Sequence, residues 1–280
     1  MRLKAKGSWL LVPLVVAGGC AIDFETSERV ANLERATVQG PDRPELSYVH
    51  AGDRTEPRVI YVHGTPGDAG AFADFLNDPI PGLEAISVDR LGFGSSDPHA
   101  VVSFEEQAAA IEPLLVERDG RWPILVGHSL GGPIVARLAA DEPGRVGGIV
   151  IVSGSMSPEL EEPRWFNFAG AYTPANWFLS RSLKNSNAEI MAAKAQTELL
   201  SDVLPRIICP IVVVHGTEDS LVPFENVAYM RAVFAETDAE FVVLEGGDHF
   251  IPWTAPESIR AAVALLRDAP RRADPDDHGG

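Results

Sequence analysis

Short apolar runs, rich in valine, isoleucine and leucine, recur along the chain and alternate with longer segments in which apolar residues follow a helical period. The runs predict strands at 46–50, 57–62, 83–88, 122–126, 146–152, 207–215 and 240–244. The segments between them predict helices at 69–77, 104–118 and 133–140, a helix that ends near 234, and a last helix at 256–267. Because alternating strands and helices form parallel sheets covered on both faces, the pattern predicts an α/β fold.

The alternation stops between 155 and 205, where no strand-like run occurs and aromatic residues are concentrated. These aromatic residues are Trp165, Phe166, Phe168, Tyr172, Trp177 and Phe178. An insertion between two strands of a wound sheet is expected to form a helical cap over the carboxyl-terminal edge of the sheet, where ligands bind. We interpret the cap as the roof of a substrate pocket; the alternative is that its aromatic residues fill only its own core. The residues proposed to line this pocket are Trp165, Phe166, Trp177 and Phe178, together with Phe93 and Phe250 from loops.

The pattern G-x-S-x-G occupies 127–131, between a predicted strand and a predicted helix. In this setting the serine stands at the tip of a sharp turn, with its hydroxyl pushed out of the chain. A side chain at Gly127 or Gly131 would collide across so tight a turn. Ser129 is therefore the candidate nucleophile, and the alternative is a plain loop that joins a strand to a helix.

A serine hydroxyl is a poor nucleophile unless a base takes its proton, and the base works best when a carboxylate orients it. His249 and Asp219 each follow a predicted strand, which places both at the same edge of the sheet as Ser129. Glu218 and Asp248 are the rival carboxylates. Asp219 is preferred because Asp248 is too close in sequence to reach the far ring nitrogen of His249 easily.

Five motifs together resemble the α/β-hydrolase superfamily and occur in the order that is typical of it. They are HGTPG at 63–67, DRLGFGSSD at 89–97, GHSLGG at 127–132, HGTEDSLVP at 215–223 and GGDHF at 246–250. The resemblance extends from about residue 57 to residue 267. It implies a mostly parallel sheet with helices on both faces and a helical cap inserted after the sixth strand.

The resemblance also implies roles for single residues. Ser129, Asp219 and His249 would form the catalytic triad, and the backbone N–H groups of Thr65 and Leu130 would bind the oxyanion. Pro66 has no N–H to contribute. The HGTPG turn departs from the HGGG turn of many lipases and from the HGGPG turn of proline iminopeptidases, which argues against those two groups.

These features predict a serine hydrolase that cleaves carboxylic esters through an acyl-enzyme intermediate, with no metal and no cofactor. The sequence contains no HExxH, paired-cysteine or P-loop pattern that would indicate another chemistry. Thioesterase, lactonase, amidase and cofactor-free haloperoxidase activities could use the same triad and stay open. A ligand-binding protein that keeps a hydrolase scaffold without catalysis is the alternative from another class.

The first twenty residues have the layout of an export signal, because basic residues at 2, 4 and 6 precede an apolar run at 9–17 that is too short to span a bilayer. The following stretch, VAGGC at 16–20, resembles the lipobox of bacterial lipoproteins, with alanine in place of the commoner leucine. This resemblance implies cleavage before Cys20, lipidation of Cys20 and a lipid-anchored protein of the bacterial cell envelope. The alternative is a plain signal peptide or a short N-terminal anchor with an incidental cysteine. A plain signal peptide would leave the protein secreted or periplasmic.

The expected organisation has five parts. They are a signal peptide at 1–19, a tether and irregular lead at 20–45, a hydrolase core at 46–154 and 206–268, a cap at 155–205 and a disordered tail at 269–280.

The formal net charge of −17 argues against a nucleic acid partner, because phosphate backbones are bound by clustered lysine and arginine. We expect a monomer whose partners are a small ester and, through Cys20, a membrane.

Overall fold

The computed structural model describes residues 28–163, 167–168 and 179–269 of the 280-residue chain. Its strands form one eight-stranded sheet in the order β1-β2-β4-β3-β5-β6-β7-β8. The strands are β1 Glu34–Val38, β2 Leu46–Ala51, β3 Arg58–Val62, β4 Glu84–Asp89, β5 Ile124–His128, β6 Gly148–Val152, β7 Ile211–Gly216 and β8 Ala239–Leu244. β1 and β2 run antiparallel to their neighbours, and all other pairs are parallel. The predicted mostly parallel α/β sheet is thereby confirmed.

The helices of the described ranges connect and cover these strands. They are α1 Ala73–Asn77, α2 Phe104–Ile111, α3 Gly131–Asp141, α4 Arg181–Ser201, α5 Glu225–Val233, α6 Ile251–Thr254 and α7 Pro256–Asp268. Short 3₁₀ turns add Ala69–Phe72, Glu112–Leu114, Pro158–Leu160 and Leu204–Arg206. α4 belongs to the insertion between β6 and β7. None of the helices in these ranges has the length and apolar character that crossing a membrane requires.

The central strands are apolar at consecutive positions because both of their faces are buried. In β3, Ile60 and Val62 join the core that packs against α2, α3 and α5. Val59 and Tyr61 point the other way, into the core that packs against α1 and α7. A parallel sheet covered on both faces requires such continuous apolar runs.

Most predicted elements lie within four residues of the observed bounds, and two differ by more. The lead at 20–45 was expected to be irregular, but its residues Glu34–Val38 form β1, which pairs antiparallel with β2. β1 is a half-exposed edge strand with charged residues, so it has no apolar run. The helix expected at 104–118 ends at Ile111, because Pro113 cannot donate a helical hydrogen bond and a 3₁₀ turn follows.

The turn between β5 and α3 is packed against the end of β3 with no room for side chains. A Cβ atom on Gly131 would lie 2.2 Å from the carbonyl oxygen of Val62, and one on Gly127 would lie 2.3 Å from the carbonyl oxygen of Gly131. Both obstacles are backbone atoms, which cannot rotate away as a flexible side chain can. The glycines of the G-x-S-x-G pattern are therefore required by the packing of this turn.

Replacing Gly131 by alanine is expected to lower the free energy of unfolding by more than about 3 kcal/mol, at or above the usual range for overpacking. The matched control is Gly144→Ala, at a glycine with φ of 89° and no atom within 4 Å of the added Cβ. There only backbone strain of about 1–2 kcal/mol is expected. Urea unfolding measures both values, and equal losses in the two variants would contradict the packing constraint.

Candidate active site

Ser129 lies in the turn that joins β5 to α3. Its φ is 53°, in the left-handed region that a residue with a Cβ rarely adopts. Three hydrogen bonds hold this backbone: Ser129 N–H donates to the Val152 carbonyl at 2.9 Å, and the Ser129 carbonyl accepts from Gly132 N–H at 2.9 Å and from Ser155 N–H at 3.4 Å. The side chain is partly exposed although the residues on either side are buried. The strained turn therefore presents the hydroxyl at the carboxyl edge of the sheet.

A histidine and a carboxylate from the next two strands meet at the same edge. Asp219 follows β7 and His249 follows β8, and His249 Nδ1 is 2.8 Å from Asp219 Oδ2. The backbone carbonyl of His249 accepts a hydrogen bond of 2.9 Å from Nε2 of His128, the residue before Ser129. This contact joins the loop after β8 to the end of β5. The structure thus brings His249, the predicted base, and Asp219, the predicted acid, together beside the turn that carries Ser129.

The second oxygen of Asp219 is bound by its own loop. Oδ1 accepts backbone hydrogen bonds from Leu221 at 3.0 Å and from Val222 at 2.8 Å. Of the rival carboxylates, Asp248 accepts the N–H of Phe250 within its own turn, and Glu218 is exposed. Asp219 is therefore the carboxylate that orients His249.

The charges around this pair favour an ionised Asp219. Burial by itself raises the pKa of Asp219, but hydrogen bonds from His249 and the Val222 N–H outweigh it and lower the pKa below its usual value. Burial lowers the pKa of His215, whose Nε2 lies 3.6 Å from Asp219 Oδ2. Burial also lowers the pKa of His128 to about 3. Because these two histidines stay neutral, neither forms a second ion pair with Asp219.

Two backbone N–H groups stand next to Ser129. Leu130 precedes the first residue of α3, where the N–H groups of a helix have no partner within the helix. A Cβ atom on Gly64 would lie 2.8 Å from Ser129 Cβ and 3.3 Å from Ser129 Oγ, so the backbone of the turn after β3 lies against Ser129. Thr65 follows Gly64 and carries the next N–H, since Pro66 has none.

The residues proposed to line a pocket fall into two groups. Trp165, Phe166, Trp177 and Phe178 lie outside the described residues, as does the lipidation candidate Cys20. Phe250 is half-buried, with its ring centroid 5.8 Å from that of His249. Phe93 is buried, with its ring edge-on to His63 at 5.6 Å and the Arg90 guanidinium 4.8 Å from its centroid.

Sequence reasoning missed the charged groups under the turn after β3. Arg90 has no exposed side-chain surface and pairs with Glu189, which comes from α4 ninety-nine positions later. Arg90 stands in the DRLGFGSSD motif, which could have marked it, whereas no local pattern marks Glu189 as buried. Within residues 28–163, 167–168 and 179–269, no three histidine, cysteine or acidic side chains are grouped so as to hold a metal ion.

The buried histidines predict how stability depends on pH. In the unfolded chain His128 takes up a proton below about pH 6.5, whereas in the folded chain it stays neutral down to about pH 3. The unfolded state therefore binds more protons as pH falls, and the free energy of unfolding declines by about 1.4 kcal/mol per pH unit for such a histidine. His128→Gln, which keeps an N–H donor, is expected to reduce the slope between pH 6 and 4 by about this amount. Urea unfolding at several pH values measures it, and identical slopes would refute the assignment.

Comparison with known proteins is consistent with this geometry. The family model described as "Alpha/beta hydrolase family" matches residues 59–262. A non-heme chloroperoxidase of Streptomyces lividans is 30% identical over 267 residues, covering 79% of this chain and 95% of that protein. Non-heme chloroperoxidase CPO-A1 of Kitasatospora aureofaciens is 26% identical, covering 69% of this chain and 85% of its own length.

Solved structures share the same fold. A thermophilic esterase from Thermogutta terrifontis superposes with a TM-score of 0.62 at 22% identity, covering 84% of this chain and 98% of the esterase. At that identity the likeness concerns the fold alone. The family match, by contrast, covers all the strands and turns that carry Ser129, Asp219 and His249. The chain therefore belongs to the alpha/beta hydrolase family.

Proposed function

We propose that the protein is a serine hydrolase that cleaves carboxylic esters through an acyl-enzyme on Ser129. The observation that carries this proposal is the 2.8 Å contact between His249 Nδ1 and Asp219 Oδ2 at the sheet edge where Ser129 is partly exposed. With Nδ1 bound to the carboxylate, Nε2 of His249 is the nitrogen left to act as a base. A ligand-binding protein without catalysis would need neither the oriented imidazole nor the strained serine.

In the proposed first step, His249 Nε2 takes the proton of Ser129 Oγ as the oxygen attacks the ester carbonyl. Asp219 stabilises the imidazolium that forms, because its carboxylate is ionised and directed at Nδ1. The carbonyl oxygen becomes an oxyanion and accepts hydrogen bonds from the N–H groups of Leu130 and Thr65. The tetrahedral intermediate then collapses, the bond to the alcohol breaks, and His249 returns the proton to the departing oxygen.

In the second step water attacks the acyl-enzyme, again with His249 as base, and releases the acid. The similarity to proteins named non-heme chloroperoxidases favours one further candidate, in which hydrogen peroxide replaces this water and the product is a peroxy acid. Both reactions share the acyl-enzyme and differ only in the acceptor. Product analysis with acetyl esters, with and without hydrogen peroxide, separates them.

Ser129→Ala and His249→Ala are expected to lower kcat/KM for p-nitrophenyl acetate by at least about 10⁴-fold without unfolding the protein. Asp219→Asn is expected to lose less than either, since His249 keeps part of its function. The assay is steady-state hydrolysis, with circular dichroism to verify folding. Glu218→Gln, the same carboxylate-to-amide change at the exposed neighbour of Asp219, serves as a control that keeps near-full activity.

A fluorophosphonate followed by peptide mapping identifies the nucleophile independently of the substrate. The label is expected on Ser129 in the wild type and absent in Ser129→Ala. Activity that persists in Ser129→Ala, or a label on another residue, would rule out the proposed nucleophile. Full activity in Asp219→Asn would move the role of the acid to Glu218 or Asp248.

We further propose that the protein is exported and anchored in the bacterial cell envelope by a lipid on Cys20. The support is the sequence alone: a basic start, an apolar run at 9–17 and small residues before the cysteine. The segment at 155–205 is proposed to act as the cap of the active site. These two proposals are independent of the catalytic mechanism.

If Cys20 is lipidated, the wild-type protein is expected in the membrane fraction and labelled by radioactive palmitate. Several acyl chains hold a protein firmly on a bilayer, whereas a single chain binds only marginally. Cys20→Ser is expected to abolish the label and to release the protein or block its processing. Cys209→Ser is the matched control, because Cys209 is buried in the core, and it should keep the label. Wild-type protein without palmitate would disprove the anchor.

A further inference from the structure

The guanidinium of Arg90 is buried beneath the turn after β3 and donates three hydrogen bonds to two groups. Its two terminal nitrogens pair with the two carboxylate oxygens of Glu189, one of these contacts being 3.0 Å long. Nη2 also donates a hydrogen bond of 2.8 Å to the carbonyl oxygen of Gly64. The side chains of Arg90 and Glu189 are 0% and 3% exposed, so water does not screen this ion pair.

The Gly64 carbonyl accepts a second hydrogen bond from the preceding residue. His63 Nδ1 lies 2.7 Å from this oxygen, and His63 Nε2 accepts the backbone N–H of Arg90 at 3.1 Å. Because Nε2 accepts, Nδ1 carries the proton and donates. Burial lowers the pKa of His63 well below its usual value, and the charge of Arg90 lowers it further, so this tautomer is neutral. The carbonyl oxygen of Gly64 is thus held by two donors.

The carbonyl of Gly64 and the N–H of Thr65 belong to the same peptide group. Since a peptide is planar, two hydrogen bonds that fix its oxygen also fix the direction of its N–H. A charged donor on the oxygen polarises the peptide and strengthens the hydrogen bond that its N–H can donate. The N–H end belongs to the turn whose backbone lies against Ser129.

α4 makes two further contacts, one with this turn and one with the loop after β4. Ser186 Oγ lies 2.8 Å from Thr65 Oγ1, and Asn185 Nδ2 donates to the carbonyl of Gly92 at 2.7 Å. Glu189 lies one helical turn after these residues, so one face of α4 holds the loops after β3 and β4. Buried ion pairs contribute little net stability compared with apolar residues of similar volume. The hydrogen bond from Arg90 to the Gly64 carbonyl gives the Arg90–Glu189 ion pair a role other than stabilising the fold.

We propose that Arg90, held by Glu189 of α4, is a positioning residue that orients the Gly64–Thr65 peptide so that the Thr65 N–H binds the reaction oxyanion. The proposal rests on the ester hydrolysis proposed above and extends it to the insertion between β6 and β7. It assigns α4 a role in catalysis through the protein backbone. No side chain of α4 needs to touch the substrate.

The test measures kcat and KM for p-nitrophenyl acetate in Glu189→Gln and Arg90→Lys. The concentration of active sites is determined by labelling each variant to completion with the fluorophosphonate. Losing an entire oxyanion donor costs about 10²–10³-fold in kcat, so a misoriented donor is expected to cost about 10- to 100-fold per active site, with KM changed less than about twofold. The double variant should lose no more kcat than either single variant, because both residues act through one peptide.

The matched control is Glu84→Gln, which breaks the buried pairing of Glu84 with Arg58 and Arg118 at the opposite end of β4. It should leave kcat per active site unchanged.

A second variant keeps the test valid if single changes unfold the protein. Arg90→Met combined with Glu189→Leu removes both charges at similar volume and should fold, because apolar replacements of buried ion pairs are usually tolerated. Its readout is the inhibition constant of a trifluoromethyl ketone, which forms an anionic adduct with Ser129. This constant is expected to rise by the same factor by which kcat/KM falls.

The outcomes separate the two proposals. If wild-type protein neither hydrolyses esters nor takes the phosphonate, the proposed function fails and this inference fails with it. If the wild type is active and these variants keep wild-type kcat per labelled site and wild-type inhibition constants, only the positioning role is overturned. A loss of labelled sites alone, with unchanged kcat per site, would show that Arg90 and Glu189 serve stability only.

Discussion

The close approach of three backbone segments determines the geometry of the site. The first turn of α3 lies against the end of β3 at Gly131, and the turn after β3 lies against Ser129 at Gly64. Neither contact leaves space for a side chain. A single packing constraint therefore places Ser129, the N–H groups at the start of α3 and the peptide that follows Gly64 side by side. The loops after β7 and β8 need only bring Asp219 and His249 to this point.

Burial controls which groups near the site carry charge. His63, His128 and His215 each have a lowered pKa because they are removed from water, so they act as neutral hydrogen-bonding groups. Asp219 is also buried, yet its hydrogen bonds keep it ionised. Its negative charge is directed through one oxygen to His249. This arrangement suits a base that becomes a cation during the reaction.

Local patterns in the sequence predicted the parts of the fold and site that depend on local geometry. The G-x-S-x-G pattern indicated a turn that demands glycine, and the order of strands and helices indicated a parallel sheet. β1 was missed because an exposed edge strand needs no apolar run. Glu189 was missed for a different reason: its burial depends on a partner ninety-nine positions away, which no window of sequence contains. Long-range pairing of charges becomes visible only once the chain is folded.

A crystal structure of the phosphonylated protein would show whether Ser129, Thr65 and Leu130 form the proposed site. The adduct leaves a phosphoryl oxygen where the reaction would place its oxyanion. We expect phosphorus bonded to Ser129 Oγ, with this oxygen about 2.7–3.1 Å from the backbone nitrogens of both Thr65 and Leu130. An oxygen that faces solvent, or that is bound by other donors while the Gly64–Thr65 peptide points away from it, would rule out Thr65 and Leu130 as the oxyanion donors.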